Sequence, residues 1–308
     1  MKTWFVFLIL TLIACGENSG VPSIENPDMT VPNESPSSSY FENNGFQLVD
    51  SHANILRRFS MTAPDENGHV AGFNLDGQDT PDGDPAHCGK GDFTDAEGRT
   101  GIDNQFADLW EVVEPLVGEA TEALIQGAVN EGRILMTIEL EGVDNFQNDD
   151  EVYVHIFRGR MTPDIGNLGL ISPNQTIYVD ESFPSPEPVR ASIVNGHLEV
   201  NQTVIYLPVD ILDAYFEMRI DNASLRMRIA DDGSFEGYFG GIVDLDYVFS
   251  ELLQTNASQE AELVQPIFYT YADMNKSEDG CSHVSAAFGF SGTPAFVVRY
   301  PESTSSEN

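Results

Sequence analysis

The chain has 308 residues, of which 50 are acidic and only 14 are lysine or arginine, so its formal net charge is −36. Basic side chains supply most of the affinity for nucleic acid, and electrostatic adhesion to anionic lipid needs the same side chains. The composition therefore argues against both kinds of partner. It is compatible with high solubility, with a salty habitat or with cation binding.

The N-terminus has the pattern of a secretory signal peptide. Lys2 precedes about eleven mostly apolar residues, and the small residue Ala14 stands before a cysteine. The apolar run is too short for a transmembrane helix, which needs roughly 20 residues.

The segment Leu12-Ile13-Ala14-Cys15 resembles the bacterial lipobox. The resemblance covers about the first twenty residues. It implies that signal peptidase II removes residues 1–14 and that acylated Cys15, carrying diacylglyceryl and an amide-linked chain such as palmitate, anchors the protein in a lipid bilayer. In such lipoproteins, Gly16 rather than aspartate at the next position favours the outer membrane. An ordinary cleaved signal with a chance cysteine is the alternative.

Residues 15–45 are predicted to be a disordered tether, because they are rich in Asn, Ser, Pro and Glu and carry five carboxylates but no basic residue. Such a tether reaches roughly 30 Å. Residues 301–308 are predicted to be a disordered tail. Residues 46–300 are predicted to form a single β-rich domain, since they contain no low-complexity break and no repeat of 20–50 residues.

Residues 74–103 are unusually acidic, with eight carboxylates and six glycines against Lys90 and Arg99. Calcium takes six to eight oxygen ligands, often from flexible loops. The segment is similar to the Asp-rich calcium loops of secreted bacterial proteins, although it lacks the glycine and the final glutamate of an EF-hand. The candidate ligands are Asp76, Asp79, Asp82 and Asp84. A solvated acidic loop is the alternative, and a second acidic loop at residues 141–151 could approach the first.

Three segments show helical signals. A run that opens at Ile102 has apolar residues at helical spacing, with Asp103 as the expected N-cap. Residues 119–129 and 244–253 are the other two predicted helices.

The clearest β signal is the Asn195-Gly196 turn, which predicts a hairpin. Its expected cross-strand pairs are Ile193–Leu198 and Ala191–Val200. A second turn at Asp221-Asn222 would give the pairs Phe216–Met227, Met218–Leu225 and Glu217–Arg226. A three-residue loop at 231–233 would give the pairs Ile229–Phe235, Leu225–Phe239, Arg228–Glu236 and Arg226–Tyr238.

Further strands are predicted at residues 134–140, 152–159, 203–207, 284–290 and 295–300. Strands therefore outnumber helices. The fold expected from this pattern is mainly β, an antiparallel two-sheet sandwich with a few short helical insertions.

Cys88 and Cys281 are the cysteines that remain once Cys15 is lipidated. In an oxidising compartment they are expected to form a disulfide. A Cys₂His₂ metal site with the neighbouring His87 and His283 is the alternative.

Motifs of common enzymes are missing: there is no Gly-x-Ser-x-Gly, no His-Glu-x-x-His, no phosphate loop and no Gly-x-Gly-x-x-Gly after a strand. His52, His69, His155 and His197 are scattered. Two short segments, 101–106 and 292–295, are similar to pieces of uncharacterised secreted lipoproteins, which implies no activity. The sequence favours a non-catalytic binding or structural module of the cell envelope, with an unidentified protein or glycan partner. The alternative is an extracellular hydrolase that uses two carboxylates as acid and base.

Overall fold

The computed structural model describes residues 47–48, 51–117, 120–211 and 214–299. Cys15, the signal peptide, the tether and the tail lie outside the described residues. Within these ranges no helix is long and apolar enough to cross a membrane.

The fold is mainly β, as the sequence predicts. The strands are β1 (Gln47–Leu48), β2 (Ser51–Met61), β3 (Met136–Glu141), β4 (Asn148–Arg160), β5 (Gln175–Val179), β6 (Val189–Val194), β7 (His197–Ile211), β8 (Ala214–Ile229), β9 (Phe235–Asp244), β10 (Met274–Ser277) and β11 (Gly280–Arg299).

Four α-helices and one short 3₁₀ turn interrupt the strands. They are α1 (Gln105–Val117), α2 (Ala120–Asn130), α3 (Leu245–Leu252), α4 (Ser258–Thr270) and the turn Pro85–His87. Asp244 caps α3 by accepting from the N–H groups of Asp246 and Tyr247, as expected at a helix start. Asp103 does not cap α1, because its carboxylate accepts instead from the Leu75 N–H.

The eleven strands belong to one sheet that closes on itself. The order is β1-β11-β2-β3-β4-β6-β7-β8-β9, and β9 pairs with β11 again. β5 runs parallel to β11 and antiparallel to β4. The two separate sheets of the expected sandwich are not confirmed, because continuous pairing links every described strand and one pairing is parallel.

The closed part of the sheet consists of β2, β3, β4, β6, β7, β8, β9 and β11, eight strands whose interior side chains can fill the enclosed space. Its core contains Leu56, Ile138, Val154, Ile205, Leu225, Phe239 and Phe288 among others. The remaining apolar cavity there is only about 10 Å³. The interior formed by these described residues is therefore a packed core, and the larger cavities lie on the outer face.

The β7–β8 region differs from the sequence prediction. No turn forms at Asp221-Asn222, because β8 runs through it as one strand. Asn222 takes a left-handed conformation (φ 47°) beside a register shift in both neighbouring ladders, as a β-bulge requires. The predicted pairs Phe216–Met227, Met218–Leu225 and Glu217–Arg226 are wrong. The actual partners on β7 are Val209 for Phe216, Leu207 for Met218, Pro208 for Glu217, Glu199 for Arg226 and Leu198 for Met227.

The two shorter turns are confirmed. Ile193 pairs with Leu198, although the ladder between β6 and β7 does not extend to the expected Ala191–Val200 pair. All four pairs across the 231–233 loop form as predicted: Ile229–Phe235, Leu225–Phe239, Arg228–Glu236 and Arg226–Tyr238. At the C-terminal end, the two predicted strands 284–290 and 295–300 are one strand, β11, which continues through Gly292 and Pro294.

Candidate functional site

Two rows of outward-facing side chains cross the outer face of the closed sheet. Leu225, Met227, Phe239 and Phe288 point into the core, so their neighbours in sequence point outward. The cross-strand partners in the first row are Arg226, Tyr238, Gly289 and Ser60; those in the second row are Arg228, Glu236, Ser291 and Arg58. We call this surface, together with Arg57 and Arg99, the arginine groove.

Small residues form the floor of the groove. Gly289 and Ser291 of β11 lie between Arg228 on β8 and Arg58 on β2. A Cβ atom on Gly289 would stand 2.4 Å from Ser60 Oγ and 3.7 Å from the Tyr238 ring. The glycine therefore makes room for the Ser60 hydroxyl, which a larger residue would have to displace. A cavity of about 680 Å³ lies at this floor.

The connection between β2 and α1, residues 62–104, overhangs one end of the groove. A second cavity of about 320 Å³ lies between this connection and the sheet, and Asp65, His69 and Arg99 line its loop side. The two cavities share Ser60, Glu97, Arg226 and Tyr238. They are therefore two parts of one continuous site.

Basic residues are concentrated in this site. Five of the 14 lysines and arginines of the chain line its cavities: Arg57, Arg58, Arg99, Arg226 and Arg228. Four carboxylates line the same cavities: Asp65, Asp95, Glu97 and Glu236. Because the Debye length is about 8 Å at physiological ionic strength, a bound group senses these nearby charges of both signs most strongly. The arginines are the groups of the groove that can hold an anion.

Some of these arginines have internal partners. Arg226 Nε donates to Glu199 Oε2 at 2.9 Å. Burial would raise the pKa of Glu199, but the hydrogen bond and the positive charge of Arg226 outweigh burial and lower that pKa. Arg99 donates hydrogen bonds to Asp95. Burial would raise the pKa of Asp95, but the hydrogen bonds from Arg99 outweigh burial and lower it. Arg228 directs Nε and Nη2 at Glu236.

Two guanidinium groups of the groove differ from the others in their ion pairing. In the described part of the chain, neither Arg57 nor Arg58 lies within 4 Å of a carboxylate oxygen, and Arg57 Nε is buried without a hydrogen-bond partner. A buried donor without a partner is costly, on the order of 1–3 kcal/mol. Arg58 is exposed, so its guanidinium is the one at this rim that can reach a carboxylate, phosphate or sulfate.

The disulfide holds the overhanging connection to the sheet. Cys88 and Cys281 are bonded, with their Cα atoms 6.1 Å apart, which confirms the predicted bridge and lies within the usual range. The sulfurs are therefore not free for the alternative Cys₂His₂ metal site. His87 Nε2 lies 2.9 Å from Asp76 Oδ2, and His283 Nδ1 lies 2.8 Å from Ser282 Oγ.

The predicted calcium ligands have separate surroundings in the structure. Asp76 pairs with His87, Asp84 accepts from the Ala86 N–H at the start of the 3₁₀ turn, and Asp79 and Asp82 are exposed. Among the described residues, no three Asp, Glu, His or Cys side chains come together as metal ligands. The second acidic loop packs elsewhere, since Gln147 O accepts from the Gly196 N–H of the β6–β7 turn.

The two carboxyl groups whose pKa values are raised most, Asp103 and Asp273, lie outside the groove. Burial is the main cause in both cases, raising the pKa of Asp103 to about 8 and that of Asp273 to about 6, and the nearby charge of Asp92 adds to both shifts. Only 2% of Asp103 and 4% of Asp273 is exposed, and Asp273 is held by two hydrogen bonds from Ser285. Neither residue lines either cavity of the groove.

The predicted histidines are dispersed over the surface. His52 packs edge-on against Phe146, and His155 pairs with Glu141. His197 and His69 line different parts of the groove, and His69 Nδ1 lies 3.0 Å from Asp65 Oδ2. These contacts bring no two of the four histidines together.

The sequence predicted two of the cross-strand pairs that form the groove, but it did not predict the contribution of β2. The pairs Arg228–Glu236 and Arg226–Tyr238 follow from one short loop, whereas Arg58 and Ser60 join them only through β11. The adjacent arginines at 57 and 58, rare in so acidic a chain, were the signal that could have drawn attention to β2. No family model, no curated protein and no solved structure matches the chain.

Proposed function

We propose that the protein is an exported, lipid-anchored binding module of the cell envelope, and that the arginine groove holds the anionic part of its ligand. The anchor is the acylated Cys15 that the lipobox resemblance implies. A disulfide between Cys88 and Cys281 suits an oxidising compartment. The role is one of binding, and the outer membrane is the proposed location.

The observation that carries the proposal is the pair of cross-strand rows with Arg58 and Arg228 on opposite rims of a glycine and serine floor. Guanidinium groups bind carboxylate and phosphate oxygens through paired hydrogen bonds. Arg228 retains Nη1 for such a bond while Nε and Nη2 contact Glu236.

An NMR titration of the full chain with inorganic phosphate tests this function. The Nε–Hε resonances of Arg58 and Arg228 are expected to shift saturably, and Arg58→Ala is expected to weaken binding about tenfold or more, because hydrogen bonds to charged groups contribute about 1.5–3 kcal/mol.

The matched control is Arg219→Ala. Arg219 lies on β8, and its guanidinium pairs with Asp221 at 2.8 Å, but it lines neither cavity. Equal shifts at Arg219 and Arg58, or no saturable shift at any arginine, would contradict the proposed function.

A further inference from the structure

The groove presents arginines on two separate strands. Arg228 on β8 and Arg58 on β2 lie in the same cross-strand row, separated by β9 and β11. Neighbouring strands lie about 4.7–4.9 Å apart, so the backbones of the two rims are about 14 Å apart. A ligand with two anionic groups on an extended frame can engage both rims.

The middle of the groove favours a flat, partly apolar unit. Tyr238 stands between Arg226 and Gly289 in the first row, and 41% of it is exposed. Since its neighbours Gly289 and Ser60 are small, a ring-shaped group can approach the exposed part of the Tyr238 ring. The apolar face of a sugar ring is suited to an aromatic surface of this kind, while its hydroxyls remain solvated.

The same surface disfavours a peptide. An extended peptide commonly binds by adding a strand to a free sheet edge. Here β8, β9 and β11 each have a neighbour on both sides along this row, so their backbone groups already serve the sheet. β2 pairs with β3 only from Ser51 to Ile55, and beyond that point the Arg57 carbonyl accepts from Gln126. The floor of Gly289 and Ser291 also offers no deep apolar pocket for a side-chain anchor.

Charge spacing distinguishes the ligand from nucleic acid. Duplex DNA carries one charge per about 1.7 Å of its axis, which a protein of net charge −36 repels strongly. A polysaccharide with one carboxylate on each sugar is less densely charged. Its carboxylates can reach the separated arginines without crowding the acidic surface around the groove.

We propose that the ligand is an acidic polysaccharide, whose sugar ring stacks on Tyr238 while carboxylates on either side bind Arg58 and Arg228. This inference rests on the proposed function, since it specifies the ligand of the same groove. It assigns Tyr238 a binding role that is independent of charge.

Isothermal titration calorimetry of the full chain with tetragalacturonate, galacturonate monomer and tetraglutamate tests the inference. We expect the tetrasaccharide to bind at least about tenfold more tightly than either of the other two ligands, because only it supplies spaced carboxylates and a stacking ring. Tyr238→Leu should weaken tetragalacturonate binding about threefold to tenfold.

The control for stacking is Tyr153→Leu, because Tyr153 is also 41% exposed but lies on β4, away from the groove. Gly289→Val should block the tetrasaccharide, and circular dichroism would verify that this variant is folded.

Equal affinity for tetraglutamate and tetragalacturonate, or full affinity in Tyr238→Leu, would overturn the polysaccharide assignment while the phosphate titration still supports an anion site. Failure of phosphate and of every oligomer to bind would instead overturn the proposed function.

Discussion

Replacing Asp103 with asparagine is expected to stabilise the protein at neutral pH. Asp103 is buried and accepts from the Leu75 N–H at 2.6 Å, and burial raises its pKa from 3.8 to about 8. Between these two values the folded protein keeps a proton that the unfolded chain has lost. Stability therefore falls as the pH rises from about 4 to about 8.

The magnitude follows from the pKa difference. Each pH unit in that window costs about 1.4 kcal/mol, so at pH 7 the ionisable side chain reduces the free energy of unfolding by up to about 4 kcal/mol. Asparagine keeps the acceptor for the Leu75 N–H and does not titrate. The variant should match the native protein near pH 4 and exceed it increasingly up to pH 8.

Urea unfolding of both proteins at pH 4, 6 and 8 measures the difference directly. The control is Asp95→Asn, which should have the opposite effect: Asp95 is also buried, but its pKa is lowered because hydrogen bonds from Arg99 outweigh the effect of burial. That variant should be less stable at pH 8, and its deficit should shrink as the pH falls through the lowered pKa. An Asp103→Asn variant that is less stable than the native protein at pH 8 would refute this reasoning.

Three further predictions concern the anchor, the disulfide and a helix cap. Cys15→Ala should abolish lipidation, so the variant should leave the detergent phase in a phase-separation assay; retention in that phase would contradict the lipoprotein proposal. Loss of the Cys88–Cys281 bridge, which spans a sequence separation of 193, should lower the free energy of unfolding by up to about 5 kcal/mol, and double replacement by serine followed by urea unfolding measures this; unchanged stability would count against it. Asp244→Ala removes the cap of α3 and should cost about 1 kcal/mol in the same assay, compared with the exposed control Asp231→Ala.

Local chemistry determined several features of this protein. The 231–233 loop fixed the register of β8 and β9 because a short loop leaves its flanking residues few ways to pair. Asp244 marked a helix start because its side chain satisfies free N–H groups. The two cysteines of residues 46–300 left a single intramolecular pairing, which is why Cys88–Cys281 was predictable.

Only the tertiary structure decided the remaining features. Asp221-Asn222 has the composition of a turn, yet β8 continues through it, because the long ladder with β7 buries residues on both sides of the bulge and a turn would have broken that ladder. The acidic segment 74–103 has the composition of a calcium loop, but of its predicted ligands Asp84 caps a turn and Asp76 contacts His87. The arginine groove depends on Arg58 meeting Ser291, more than two hundred positions away in the chain. Such a pairing is set by closure of the sheet around its core, and the local sequence around either partner does not predict it.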